Sequence, residues 1–155
     1  MKNLFITTGL ILSLVFVPSA QSQPKEILDP KEKCPVCGMF VSKYPEWVVQ
    51  LHLSNGEVIM FDGVKDMLKY YFEPDKYGLR PKIKTKIIYV KDYYTQNWIN
   101  GYKAYYVKGS DVTGPMGHEF IPFSSEDAAT SFKKDHHGKS VMTFEDINFE
   151  DLKDM

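Results

Sequence analysis

Both cysteines of the chain lie in one short segment, where Cys34 and Cys37 have Cys-x-x-Cys spacing and Met39 follows two residues later. Thiolate and thioether sulfur are soft ligands that select Cu(I) over hard cations. A second methionine, Met116, lies in a Gly-Pro-Met-Gly sequence that predicts a turn, and His118 adds an imidazole two residues later. Together these residue types favour a Cu(I) site with few ligands.

Three other interpretations of the cysteine pair stay open from the residues alone. A structural zinc site usually takes its ligands from two pairs, and no second Cys-x-x-Cys or spaced histidine pair follows in the chain. A periplasmic thiol–disulfide oxidoreductase would use Cys34 and Cys37 between a strand and a helix, whereas no strand is predicted before them. A plain disulfide would form if the chain reached an oxidising compartment.

The N-terminal residues have the order of a secretory signal. Lys2 supplies a positive charge, an almost unbroken apolar run covers residues 4–17, and small residues follow up to Ser22. We therefore predict a signal peptide over residues 1–22 and a mature protein in the bacterial periplasm. The run is shorter than the ~20 residues that span a bilayer, so a membrane location is expected only if this segment is retained. No cysteine near the cleavage point is available to accept a lipid.

The elements that must position these residues follow from apolar periodicity and turn residues. An Asn-Gly turn at residues 55–56 predicts a hairpin, and apolar residues at i, i+3, i+4 and i+7 predict a helix over residues 64–71. In the second half, Ser124 is predicted to cap a helix, and residues 111–117 are predicted to form a loop. The predicted strands are 48–53, 57–61, 87–90, 104–107, 119–123 and 141–144.

Each half of the mature chain therefore has the order strand, strand, helix, strand. The predicted fold is α+β, with two similar ββαβ units after the signal peptide. Residues 23–100 carry the Cys-x-x-Cys-Gly-Met sequence, and residues 101–155 carry the Pro-Met-Gly loop. Residues 57–61 align with residues 119–123 at Glu, Ile and Phe, and we interpret this match as a candidate internal duplication.

Composition and charge exclude several classes of protein. The chain of 155 residues has a formal net charge of −1, which argues against a strongly basic nucleic-acid-binding protein. Aromatic residues make up 14 %, which argues against disorder, and two cysteines are too few for a disulfide-rich scaffold. No Ser-His-Asp arrangement, carboxylate pair or phosphate-binding glycine loop stands out, so no catalytic residue is predicted.

Several segments together carry a family resemblance: Cys-Pro-Val-Cys-Gly-Met at 34–39, Phe-Asp at 61–62, Gly-Pro-Met-Gly at 114–117, and residues 97–99, 103–107, 121–129 and 132–138. They resemble the NosL family, the accessory proteins of nitrous oxide reductase. The resemblance implies a Cu(I) chaperone of the bacterial cell envelope that supplies copper to a client enzyme, with nitrous oxide reductase as that client. It also implies Cys34, Cys37, Met39 and Met116 as copper ligands. A homodimer or an accessory protein is a further candidate partner, and no nucleic acid is expected.

Overall fold

The computed structural model describes residues 23–78, 83–153 and 155, which form two helices and two antiparallel sheets. The strands are β1 (Val49–Leu53), β2 (Val58–Phe61), β3 (Thr85–Lys91), β4 (Trp98–Asn100), β5 (Tyr105–Gly114), β6 (Gly117–Phe123) and β7 (Ser140–Thr143). The helices are α1 (Val64–Phe72) and α2 (Glu126–Asp135). The predicted α+β fold is confirmed, whereas the internal duplication stays a prediction.

The first sheet has the strand order β2-β1-β3-β4. The predicted hairpin joins β1 to β2, and Gly56 at its tip has a φ of +88°, a left-handed conformation that glycine adopts without strain. α1 buries its apolar stripe, which includes Met67 and Leu68, in the same cluster as β1 and β3. The short edge strand β4 is absent from the prediction, because three half-buried residues give no clear alternation.

The second sheet, of order β6-β5-β7, lies between the first sheet and α2. Successive side chains of a strand point to opposite faces, and each face of this sheet has its own apolar cluster. Tyr106 and Phe120 belong to the larger cluster, which also contains β1, β3 and α1. Val107, Phe123 and the α2 residue Phe132 belong to the smaller cluster. One face of the second sheet therefore packs against the first sheet and α1.

The prediction of a loop over residues 111–117 is wrong for most of these residues. β5 continues to Gly114 and β6 begins at Gly117, so Pro115 and Met116 form the tip of a β-hairpin. Gly117 has a φ of +85°, so a left-handed glycine follows the two tip residues, as is common where a tight turn joins two strands. The glycines of this stretch therefore shape the hairpin.

Two further details differ from the sequence prediction. The strand pairing shifts between Lys108 and Thr113, which indicates a β-bulge in the stretch that was predicted to lead into a loop. α2 is capped by Ser125 and not by Ser124, since the Ser125 hydroxyl accepts a hydrogen bond from the backbone N–H of Ala128 (3.3 Å). Neither difference changes the order of the elements.

Among the described residues, no helix combines the length and the apolar character needed to cross a membrane. The predicted signal peptide, residues 1–22, lies outside the described residues. It stays a prediction, and so does the division of the mature chain into residues 23–100 and 101–155.

Candidate metal centre

The segment that carries both cysteines is a tight backbone loop. The backbone N–H of Cys34 donates to the carbonyl of Met39 (2.9 Å), and the N–H of Gly38 donates to the carbonyl of Cys34 (2.9 Å). Gly38 has a φ of +80°, so the residue after the second cysteine turns the chain in a conformation that favours glycine. The loop holds the sulfur atoms of Cys34 and Cys37 within 4.8 Å of each other.

Both thiols are free in the structure, so it has no disulfide between them. Burial raises the pKa of both thiols, and against it the backbone N–H groups of Val36 and Cys37 lower the pKa of Cys34 and the N–H of Met39 lowers that of Cys37, through hydrogen bonding. Hydrogen bonds of this kind stabilise a thiolate. The loop therefore already provides the donors that a sulfur needs once it has lost its proton.

Two aspartates at the start of α1 complete the cluster. Asp62 follows β2, and Asp66 lies four residues later on the same side of the chain. Sγ of Cys37 is 3.2 Å from Oδ1 of Asp62, and Sγ of Cys34 is 3.5 Å from Oδ2 of Asp66. One ligand atom from each of these four residues lies within 4.8 Å of the other three. Cys34 and both aspartates are at most 3 % exposed, so the acidic groups converge almost out of contact with water.

This environment keeps the thiols protonated at neutral pH. Burial, the largest cause, raises the pKa of Cys37 to about 11, and hydrogen bonds to Asp66 and Asp62 raise it further against the lowering effect of the Met39 N–H. Burial and the neighbouring Asp62 likewise raise the pKa of Cys34. Four acidic groups at one buried point repel one another when ionised, unless a cation lies among them. A metal ion that entered the cluster would therefore take the place of the thiol protons.

A cavity of about 420 Å³ opens beside the cysteines. Cys37 of the cysteine loop and Asp66 of α1 line one part of it, and Met116 lines another from the tip of the β5–β6 hairpin. The Met116 side chain is 47 % exposed, although methionine is one of the residue types most often buried. The structure therefore brings Met116 and Cys37 to the same cavity, although one lies at the tip of the β5–β6 hairpin and the other in the loop before β1.

Met39 and His118, the other two predicted ligands, have different positions. Met39 belongs to the cysteine loop, where its backbone carbonyl accepts a hydrogen bond from the N–H of Cys34 and its side chain is half-buried. His118 lines a separate cavity of about 260 Å³ with Lys108 and Lys139, and the structure does not bring it to the cysteine cluster. Metal ligation by either side chain stays a prediction.

The donor atoms of the centre suit two kinds of metal ion. Two cysteine sulfurs with two carboxylate oxygens make a four-ligand set of the kind that binds Zn²⁺. Two cysteine sulfurs with the thioether of a methionine make a softer set, which favours Cu(I). Met116 is therefore the side chain that would decide between these chemistries.

Sequence reasoning missed Asp62 and Asp66 as members of the centre. They are separated by 25 and 32 residues from the cysteines that they contact. Acidic residues at the start of a helix are ordinary, because they interact favourably with the helix dipole. The signal that could have found one of them is the Phe-Asp pair at 61–62, which is part of the family resemblance.

Comparison with known proteins gives one family. The family model described as NosL matches residues 24–152. The copper-binding lipoprotein NosL of Stutzerimonas stutzeri is 30 % identical over 125 residues, which cover 76 % of this chain and 62 % of that protein. The protein of the same name from Achromobacter cycloclastes is 31 % identical over 140 residues, which cover 83 % of this chain and 69 % of that protein. The chain thus spans less than two thirds of the length of the first of these relatives.

Solved structures agree with this result. The crystal structure of the copper chaperone NosL from Shewanella denitrificans superposes with a TM-score of 0.70 at 25 % identity, covering 86 % of this chain and 99 % of that one. The solution NMR structure of apo-NosL from Achromobacter cycloclastes gives a TM-score of 0.51 at 30 % identity, covering 67 % of this chain and 87 % of that one. Both the sequence and the fold are therefore similar to those of the same family.

Proposed function

The chain belongs to the NosL family, and from that premise we propose that it binds one Cu(I) ion at the cysteine centre and passes it to a client copper protein. One observation carries the proposal. Two free thiols converge with two buried carboxylates at the edge of a cavity that Met116 also lines. The names of the relatives, which are a copper chaperone and copper-binding lipoproteins, support copper as the metal.

The ligands that we propose are Cys34 and Cys37 as thiolates and Met116 as a thioether, with Met39 as a further sulfur donor in the same loop. Thiolates and thioethers are soft, so this set favours Cu(I) over Cu(II) and over hard divalent ions. The carboxylates of Asp62 and Asp66 would remain beside the ion and attract its positive charge. His118 is not in the proposed set, because it lines another cavity.

The centre also suits release of the ion. Cys37 is half-buried and Met116 is 47 % exposed, so both can be reached from the cavity, whereas Cys34 is 1 % exposed. A thiolate or imidazole of the client could therefore approach from the Met116 side while the cysteines still hold the ion. The client that we propose is nitrous oxide reductase, from the family resemblance, and the proposed location is the periplasm. A homodimer or an accessory protein stays a predicted partner.

We propose a carrier and not a thiol–disulfide oxidoreductase. A reactive cysteine in such enzymes has a lowered pKa, because the thiolate is the nucleophile. Here burial and the aspartates raise the pKa of both Cys34 and Cys37. Cys34, at 1 % exposure, is also poorly placed to attack a disulfide of another protein.

An anaerobic titration of the reduced protein with Cu(I), in competition with a chromophoric chelator, tests the proposal. We expect one tightly bound Cu(I) per chain. Cys37→Ser and Met116→Leu should each weaken binding by roughly tenfold or more, a loss of about 1.4 kcal/mol or more. The matched control is Met142→Leu, which changes a half-buried methionine of β7 that does not line the cavity.

Each outcome has a distinct meaning. If the reduced protein binds no Cu(I) against the chelator, the carrier proposal is wrong. If Cys37→Ser abolishes binding but Met116→Leu behaves like Met142→Leu, Met116 is not a ligand and the proposed ligand set is wrong. Client identity is tested by mixing the copper-loaded protein with copper-free nitrous oxide reductase, and copper that stays on the carrier would argue against that client.

A further inference from the structure

We infer that Lys65 is a positioning residue that holds Met116 over the cysteine centre. The inference rests on the proposed function and adds to it a residue that lies outside the ligand set. Lys65 is the second residue of α1, directly before Asp66 of the centre. Its amino group contacts the hairpin that carries Met116, so one side chain joins the two halves of the proposed copper site.

The contact is a hydrogen bond to the backbone of the ligand residue itself. Nζ of Lys65 donates to the carbonyl oxygen of Met116 at 2.6 Å. Hydrogen bonds from a charged donor are shorter and stronger than bonds between neutral groups. The bond therefore fixes the backbone of the hairpin tip and leaves the thioether free, in keeping with the 47 % exposure of Met116.

The burial of Lys65 is unusual and needs a reason. Lys65 is 3 % exposed, and lysine is almost never fully buried unless it is paired. The carboxylate of Glu119 on β6, itself 3 % exposed, accepts a hydrogen bond from the backbone N–H of Lys65 and another from that of Phe120 (2.9 Å). The hydrogen bond from Nζ of Lys65 to the Met116 carbonyl satisfies the buried amino group. A buried lysine and a buried glutamate thus brace α1 against the hairpin.

Two glycines make room for this brace. A Cβ atom on Gly63 would overlap the carboxylate of Glu119, and a Cβ on Gly114 would lie 3.2 Å from its Cγ. Gly63 precedes α1, and Gly114 is the last residue of β5 before the tip. The side chain of Glu119 therefore has a glycine next to it both before α1 and at the end of β5.

The consequence for the proposed copper site is geometric. α1 carries both Asp66 and Lys65. The hydrogen bond from Lys65 to the Met116 carbonyl therefore attaches Met116 to the same helix that positions the Asp66 carboxylate beside the cysteines. Without it, the two-residue tip would lose its bond to α1, and the thioether would sample positions away from Cys37. Binding would then cost more ordering of the tip, and the contribution of Met116 to affinity would fall.

A double-mutant cycle tests this role. Lys65→Leu removes the amino group and keeps an apolar stem, without adding a sulfur that could bind copper. We expect it to weaken Cu(I) binding by about tenfold, the lower end of the effect of removing a residue that orients a metal ligand. Lys65→Arg, which keeps a charged donor, should recover most of the affinity. In a Met116→Leu background, Lys65→Leu should change the affinity by less than about twofold, because the two substitutions act on one interaction.

The matched control is Lys91→Leu. Lys91 on β3 also donates its Nζ to a backbone carbonyl, that of Gln96 at 3.1 Å, but it does not line the cavity of the centre. It should leave Cu(I) affinity unchanged. The ¹³C-methyl NMR signal of Met116 in the metal-free protein gives a second readout, and we expect Lys65→Leu to sharpen it and move it toward the position of a mobile methionine.

The possible results separate this inference from the proposed function. An equal loss of affinity from Lys65→Leu with and without Met116 overturns the positioning role, because Lys65 would then act on the cysteines or on the fold. An unchanged affinity and an unchanged Met116 methyl signal in Lys65→Leu overturn it as well, while the carrier proposal stands. If the wild-type protein binds no Cu(I), the carrier proposal fails, and the methyl signal alone then decides whether Lys65 orders the tip.

Discussion

The affinity for Cu(I) should rise steeply with pH, because the cysteines are protonated in the metal-free protein. The pKa of Cys37 is raised to about 11 and that of Cys34 is also raised, so at neutral pH each thiol must lose a proton before it can bind the ion. The copper-bound state therefore holds two protons fewer than the free state. The apparent affinity should increase by about two orders of magnitude per pH unit, or about 2.7 kcal/mol. Between pH 6.5 and pH 8.5 the gain should be roughly 10⁴-fold.

Competition titrations at pH 6.5, 7.5 and 8.5 measure this slope, provided that the chelator's own pH dependence is subtracted. A pH-stat experiment in unbuffered solution measures the same quantity directly, and we expect two protons released per Cu(I). The Cys37→Ser variant is the matched comparison and should release one. A wild-type slope near zero would refute the argument that burial and the aspartates keep the thiols protonated. A slope of one would mean that only one of the two cysteines binds the ion.

Three further outcomes test buried groups that stabilise the fold. Replacing Asp92 by alanine removes the acceptor for the backbone N–H groups of Thr95 (2.9 Å) and Ser124 (2.7 Å). The free energy of unfolding in urea should therefore fall by about 2–3 kcal/mol. An unchanged urea midpoint of unfolding would contradict this prediction. Replacing the fully buried Phe132 by alanine should cost about 3–5 kcal/mol in the same assay, and a loss below about 1 kcal/mol would contradict its place in the smaller cluster. Burial raises the pKa of Glu119 from 4.5 to about 8, so its contribution to stability is complete below pH 4.5 and is lost as the pH rises through 8. The difference in Tm between Glu119→Gln and the wild type should therefore shift in favour of the variant as the pH rises from about 5 to 9, and a constant difference would argue against a raised pKa.

Much of the fold follows from short-range sequence signals. The Asn-Gly turn predicts the β1–β2 hairpin because glycine allows the positive φ that the tip requires, and the observed φ of Gly56 is +88°. The i, i+3, i+4, i+7 spacing predicts α1 to within one residue of its observed end at Phe72. The β5–β6 hairpin is less predictable, because a bulge after Lys108 interrupts the alternation on which strand prediction depends.

The residues of the candidate site also differ in how far the sequence predicts them. Cys34, Cys37 and Met116 are proposed from residue type and local composition, and the structure places both cysteines in one cluster and Met116 on the cavity that Cys37 lines. Asp66 and Lys65 cannot be proposed in that way, because their roles depend on which segments the fold brings into contact. A carboxylate at the start of a helix and a lysine in its first turn are common in any sequence, and only their burial against other elements of the fold marks them as parts of a site.

The exposure of the proposed ligands determines which of them an incoming client ligand would replace first. Cys34 is 1 % exposed, Cys37 is half-buried and Met116 is 47 % exposed, so the proposed sulfur donors run from the interior to the surface. The outermost donor is a neutral thioether, which binds Cu(I) less strongly than a thiolate. An incoming thiolate or imidazole from a client would therefore meet the weakest bond of the site first and could replace it while both cysteines still hold the ion.

The Met116→Cys substitution would add a third thiolate at that point. The variant should bind Cu(I) more tightly than the wild type but release it to a client more slowly. Faster release from that variant would show that the exposed thioether does not set the order of ligand exchange.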